Sequence, residues 1–277
     1  MSKVDLHPLS LGEILDRTLA LYRQNFLLFV ALAGIPQLPN LALSMVQLWL
    51  APTFTSLTLG LLAAGFYIVL AFVAIAGYLF AQGGTVLAVS QLYLGRPTSI
   101  VECLRQVKGD LLSLLGVVIW NFLAVFVAFI FLIVPGIYVM CRLLVCVPVA
   151  IIEQKGPGES LSRSFQLTES FAGRAFVLLL FYWAASTGMS LLAVVPFSVA
   201  ISANANNTEA IRAWTSLQTV VASSVSILLT PLILISTSIF YYDLRVRKEA
   251  FDLQLMMDPD GANIPRSSLR SVVPEGQ

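Results

Sequence analysis

Charge is scarce in this sequence: only 11% of its 277 residues are Asp, Glu, Lys or Arg, against about 25% in an ordinary soluble domain. So small a supply cannot coat a soluble surface. With 58% hydrophobic residues and a mean hydropathy of +0.87, the chain is expected to be covered by lipid. A formal net charge of +1 gives no bulk attraction to nucleic acid, so none is expected as a partner. Histidine is nearly missing, with His7 alone near the start. The three cysteines, Cys103, Cys141 and Cys146, form no CxxC pair and no metal spacing, and each reads as a small buried apolar residue. Walker loops, GxSxG elbows and HExxH helices do not occur. These absences predict no metal, no cofactor and no catalytic residues, hence a non-enzyme. The opening stretch MSKVDLHPLSLGEILDR mixes acids and bases ahead of any apolar run, which predicts no cleavable signal peptide.

Long apolar runs take the place of charge. About 20 apolar residues, rising 1.5 Å each, cross a hydrocarbon core. Six runs qualify, at roughly 25–50, 58–81, 111–134, 136–152, 174–203 and 214–241. Stretches such as LLSLLGVVIWNFLAVFVAFIFLIV show none of the alternation of a membrane β-strand, so the fold class is an all-α polytopic membrane protein. Pro36 and Pro39 are expected to interrupt the first run, and Pro135-Gly136 to separate the third from the fourth.

Positive charge gives an independent reading of the topology, because Lys and Arg concentrate in cytoplasmic loops. Lys3, Arg17 and Arg23 precede the first span, and no basic residue lies between the first and second. Arg96, Arg105 and Lys108 follow the second span, whereas the Pro-Gly turn after the third has none. Lys155, Arg163 and Arg174 follow the fourth, Arg212 alone follows the fifth, and Arg245, Arg247, Lys248, Arg266 and Arg270 follow the sixth. This alternation predicts six helices in a bacterial cytoplasmic (inner) membrane with both termini in the cytoplasm. Residues 1–256 then form one membrane domain, and 257–277 read as a disordered cytoplasmic tail.

Three cytoplasmic segments resemble one another: SLGEILDRTLALYRQNF from Ser10, SIVECLRQVKGDL from Ser99 and GPGESLSRSFQLTESF from Gly156. Aligning Glu13, Glu102 and Glu159 brings Leu15, Leu104 and Leu161 into register. In the first, Leu11, Ile14, Leu15, Thr18, Leu19 and Tyr22 share a helical face. Ser10 with Glu13, and Ser99 with Glu102, have capping-box spacing; the third segment lacks the serine. The pattern predicts three cytoplasmic-side amphipathic helices lying in the interface, each followed by a transmembrane hairpin, as a three-fold repeat.

Five stretches carry a family resemblance. They are PLSLGEILDRTLALYRQNF near the N-terminus, YLGRP at 93–97, VPGIYVMCRLLVCVPVAIIE at 134–153, SLSRSFQL at 160–167 and YYDLRVRKEAFDL at 241–253. Together they resemble the membrane domain of membrane-anchored glycerophosphoryl diester phosphodiesterases and related stand-alone bacterial membrane proteins of uncharacterised function. The resemblance runs from Pro8 to Leu253, and its last motif is the most specific. Ala250 departs from the glycine of the family's R-x-R-x-E-G-F-D-L run. In the fused relatives, the resemblance implies, phosphodiester hydrolysis belongs to a separate soluble barrel rich in histidines and acids. With His7 its only histidine, this chain is not expected to hydrolyse phosphodiesters.

A few polar residues stand out against the apolar background. Arg142 lies inside GIYVMCRLLVCVPVAII, where a charge costs roughly 2.5–3.5 kcal/mol on insertion scales. It reads either as an anchor snorkelling to the outer interface, as an interhelical partner, or as a ligand contact. Glu153 ends the fourth span, where a helix dipole disfavours an acid, so Arg163 or an arginine of the last motif is expected to pair with it. In that motif Asp243 with Arg247, Arg245 with Glu249, and Lys248 with Asp252 are four apart and can pair along a helix. Arg245, Arg247 and Lys248 are also candidates to grip lipid phosphates of the anionic inner leaflet, at about 1 kcal/mol each. Gln82, Asn121 and Gln218 are expected to bond between helices, and Gly83-Gly84 to mark a bend.

The leading functional expectation is a non-enzymatic membrane protein that scaffolds, organises or senses at the cytoplasmic face, with membrane lipids and a protein partner or a second copy as its contacts. The alternative is a small transporter or a lipid- or glycerophosphodiester-handling protein. The absence of ionisable groups from the centres of spans one, two, three, five and six argues against coupled ion transport.

Overall fold

The computed structural model describes residues 8–49, 57–93 and 95–249. Among the described residues every regular element is an α-helix: α1 (Leu11–Gln24), α2 (Phe26–Trp49), α3 (Leu57–Tyr93), α4 (Ile100–Phe131), α5 (Ile133–Arg142), α6 (Cys146–Ile152), α7 (Pro157–Leu167), α8 (Ala172–Ala203) and α9 (Thr208–Glu249). Six spans are long and apolar enough to cross a membrane: Phe26–Trp49, Ala63–Tyr93, Ile100–Phe131, Ile133–Ile152, Ala172–Ala203 and Thr208–Glu249. The protein is a multi-pass α-helical membrane protein. Over its most apolar 18 residues the fourth span is 56% buried, against at most 22% for the corresponding stretch of any other, so its later part, from Cys141 through α6, faces protein while the apolar stretches of the others present side chains outward.

The helix ends follow from local chemistry. Ser10 caps α1 with a complete capping box, its Oγ accepting from the Glu13 N–H while Glu13 Oε2 accepts from the Ser10 N–H. Ser99 caps α4 by accepting from the Glu102 N–H. At α7 the missing serine is replaced by Gly156 at the cap and Pro157 at the first helical position, where a proline's lack of an N–H costs nothing. Helix α3 ends in a paired reversal: the Gly95 N–H donates to Leu92 O (3.0 Å) and the Arg96 N–H to Gln91 O (2.9 Å). Gly95 takes a φ of 75°, which a Cβ would oppose.

Several sequence expectations are corrected. Pro36 and Pro39 do not interrupt the first span but lie inside a continuous α2. Gly77 makes room for Pro36, since a Cβ there would sit 3.2 Å from the Pro36 Cα. The break between the third and fourth spans falls at Leu132, whose backbone is extended (φ −171°, ψ 155°), so Pro135 sits in the first turn of α5. Gly136 is the contact point, because a Cβ there would strike the Phe129 ring. The fourth span is itself two helices, broken between Arg142 and Cys146. Gly83-Gly84 does not end the helix: α3 continues through it to Tyr93. The pair is instead a close approach, with Cβ positions 2.9 Å from Val107 of α4 and 3.0 Å from Leu32 of α2. The segment from Ser99 is not a separate amphipathic helix but the opening turns of α4. The residues 257–277, read as a tail, lie outside the described residues.

The packing order is compact. Helix α2 packs on α3 and α9, α3 on α4, and α8 on α9, while α6 is enclosed by α3, α4, α7 and α9. Helix α1 turns its buried stripe of Ile14, Thr18 and Tyr22 inward and contacts α9, where the Tyr22 hydroxyl donates to Leu228 O (3.0 Å). At its C-terminal half α9 is buried continuously from Ile235 to Val246.

Candidate functional site

That buried half of α9 organises the polar residues. Two carboxylates, Asp243 on α9 itself and Glu153 at the end of α6, gather Arg163, Arg174 and Arg247 around them.

Asp243 has a fully buried side chain. Its Oδ1 accepts from the Leu9 N–H (2.7 Å), its Oδ2 from Arg174 Nη1 (2.9 Å), and both oxygens from Arg247 Nε at 3.0 and 3.1 Å. The same two arginines close on the Leu9 carbonyl, Arg174 Nη2 at 2.5 Å and Arg247 Nη2 at 2.7 Å. One backbone unit of the segment before α1 is thereby held at its N–H and its C=O by α8 and α9. The Arg247 guanidinium also lies 5.9 Å from the centre of the Phe171 ring.

Glu153 caps the C-terminal end of α6 and is only 9% exposed. It accepts from Arg163 Nε at 3.1 and 3.2 Å, from the Tyr241 hydroxyl at 3.0 Å, and pairs with Lys155 Nζ at 2.9 Å. Arg163 reaches on to Glu249, which also receives Arg245 Nε at 3.0 Å. Burial alone would raise the Glu153 pKa, but Lys155, Arg163 and Tyr241 outweigh it and hold the carboxyl below the usual range. Burial works against the charge of Arg163, yet Glu249 and Glu153 raise its pKa further. Next to Asp243 in the chain, Tyr242 stacks on Tyr93 (5.2 Å) and shares a hydrogen bond with Ser90 (2.8 Å). Tyr93 in turn accepts from Arg17 Nη1 (2.9 Å).

Arg142 belongs to neither group. It lies at the α5–α6 break and donates from Nε to Thr168 Oγ1 (3.2 Å), from Nη1 to the Tyr138 hydroxyl (2.6 Å) and from Nη2 to Phe165 O (2.6 Å). Its guanidinium carbon sits 5.5 Å from the Tyr138 ring centre and 5.1 Å from that of Phe165. The break itself is sealed by hydroxyls. In an unbroken helix the Arg142 carbonyl would accept from the Cys146 N–H, which donates to Leu143 O instead (3.0 Å). Ser164 Oγ at 2.8 Å and Thr168 Oγ1 at 2.9 Å take its place, both residues being fully buried.

Arg142 thus reaches α7 as an interhelical partner, one of the roles expected of it. Glu153 with Arg163, Asp243 with Arg247, and Arg245 with Glu249 all meet as spaced. Asp252 lies outside the described residues; Lys248 bonds Gln166 O (2.5 Å) and lies 3.6 Å from Glu169. Of the residues read as lipid grips, Arg245 is turned inward, 9% exposed and held by Glu249 and Tyr241, which leaves it no surface for a phosphate, whereas Arg247 and Lys248 are exposed. Gln218 bonds across to Ser198 (3.3 Å), whereas Gln82 bonds Tyr78 within its own helix, correcting the interhelical expectation there. Arg174, the Leu9 backbone, Tyr241, Ser164 and Thr168 were not singled out in the sequence. Only Arg174 carried a signal there, as a lone charge opening an apolar span.

Among the described residues no cluster of His, Cys, Asp and Glu could hold a metal ion. Comparison with protein-family models, with curated proteins and with solved structures finds no match.

Proposed function

We propose that the chain is a non-catalytic platform in a bacterial cytoplasmic membrane, with both ends in the cytoplasm, that presents the α7–α9 end of the bundle to a protein partner or a second copy. Its role is scaffolding, organising or sensing at that face. The observation that carries this reading is the saturation of Glu153 and Asp243. Each accepts from two cationic side chains and a third donor, so neither is available as a general acid or base. What the two networks achieve is rigidity, since they cross-link the start of the chain, α6, α7, α8 and α9. The resemblance to phosphodiesterase membrane domains that lack their barrel fits the same reading. The outward faces of α1 and α7, in this reading, lie at the anionic inner leaflet.

The test is native mass spectrometry of the protein extracted gently from its own membranes, combined with impermeant thiol labelling of Arg96→Cys and Asn206→Cys. A stoichiometric protein of defined mass, or a defined oligomer, together with outside labelling at 206 only, is the expected result. A bare monomer in which both positions label from outside would overturn it. One observation, that Arg142 has no carboxylate partner among the described residues, favours a lipid- or glycerophosphodiester-handling reading as the alternative.

A further inference from the structure

We propose that Arg142 and the cleft between α5 and α8 form a binding site for one anionic phospholipid, its phosphate on the guanidinium and an acyl chain in the cleft. The argument begins with a contrast between arginines. Arg163, Arg174, Arg245 and Arg247 each lie within ion-pair distance of a carboxylate. Arg142 is half-buried among helices, and among the described residues it has no carboxylate partner. Its three bonds go to neutral acceptors, a hydroxyl, a phenol and a carbonyl. A charge taken out of water without a counter-charge is costly, and an anionic ligand removes that cost.

The donor count agrees. A guanidinium carries five N–H groups; three are used by those bonds, and two remain for a phosphate, which takes paired donors well. Those three bonds, with the rings of Tyr138 and Phe165, fix the guanidinium plane.

The cleft supplies the other half of the ligand. A space of about 490 Å³ opens between the two helices, lined by Val134, Ile137, Tyr138, Cys141, Gly173 and Phe176 among others. Its walls are apolar, as an acyl chain requires and a free phosphate does not. Tyr138 joins the two parts, because its ring lines the cleft while its hydroxyl accepts from Arg142. At Gly173 a Cβ would meet nothing within 4 Å, so the space there is open to an occupant. A charged head site continuous with an apolar slot selects an anionic amphiphile over a soluble anion. This inference does not depend on the platform reading.

The experiment uses the full chain in detergent, titrated with phosphatidylglycerol, with phosphatidylcholine of equal chain length and with chainless glycerophosphoglycerol, and read by native mass spectrometry. One phosphatidylglycerol should be retained at least about tenfold more tightly than either comparison, the scale of a lost charged hydrogen bond. Arg142→Gln should abolish the preference between headgroups. Gly173→Leu fills the slot and leaves the guanidinium untouched, so it should weaken retention while the melting temperature stays at that of the wild type. Equal retention of the two lipids, undiminished binding in Gly173→Leu, or equally tight binding of the chainless headgroup would each overturn the proposal. Should Arg142→Gln fail to fold, the Gly173→Leu arm and the three ligands still decide it.

Discussion

Asp243 is a single buried carboxylate that ties three stretches of chain together. Its donors come from Leu9 before α1, Arg174 at the start of α8 and Arg247 one turn along α9. Removing one member of a buried pair leaves the others uncompensated, which typically costs about 3–5 kcal/mol. Asp243→Asn is therefore expected to lower the thermal unfolding midpoint sharply. It should also free the N-terminal segment, so limited proteolysis should cut before α1 in the variant and not in the wild type. Arg212→Gln is the control. It sits near the opposite end of α9 with no carboxylate partner among the described residues, and a surface charge of that kind contributes about 0–1 kcal/mol at most.

At the scale of elements, the break in the fourth span is the distinctive feature. A membrane interior offers no water to a freed carbonyl, so a broken helix survives there only if protein groups complete it. Here α7 does so, through Ser164 and Thr168, and the price is two buried hydroxyls placed four residues apart on one helical face. Replacing both, as Ser164→Ala with Thr168→Val, should cost about 1–3 kcal/mol for the orphaned carbonyl. Hydrogen exchange should then speed selectively at residues 143–146, with α2 and α3 unchanged. Uniform exchange throughout the bundle would show that the hydroxyls do not hold the break. Ser224→Ala serves as the neutral comparison, because its hydroxyl bonds only Val220 O within its own helix and is exposed.

At the scale of the whole molecule, Glu153 connects α6, α7 and α9, and its depressed pKa ties their association to pH. A carboxylate held below its unfolded value of roughly 4.3 contributes stability above that pH and loses it as the pH falls through the folded value. Thermal unfolding of the wild type should thus show an advantage over Glu153→Gln that is full near neutral pH. The advantage should shrink progressively below about pH 4. A gap between the two proteins that stays constant down to that range would mean that Glu153 does not stabilise through its charge.

The sequence by itself determined the class of this protein. Scarcity of charge together with six apolar runs leaves a helical bundle as the solution that satisfies every backbone group in lipid, and the i,i+4 spacing in the last motif places Asp243 with Arg247 and Arg245 with Glu249. The Ser10 capping box and the pairing of Glu153 with Arg163 were legible for the same reason, being local or constrained by a short loop. Tertiary structure alone decided the rest. Leu9 and Arg174 meet Asp243 across 234 and 69 positions, separations that no spacing rule reaches. The Arg142 carbonyl is rescued by hydroxyls whose use depends on a helix break that apolar composition conceals. Pro36 and Gly83-Gly84 look like interruptions in one dimension. In three dimensions they are close approaches, because the neighbouring helices are shaped to receive them and packing outweighs local preference.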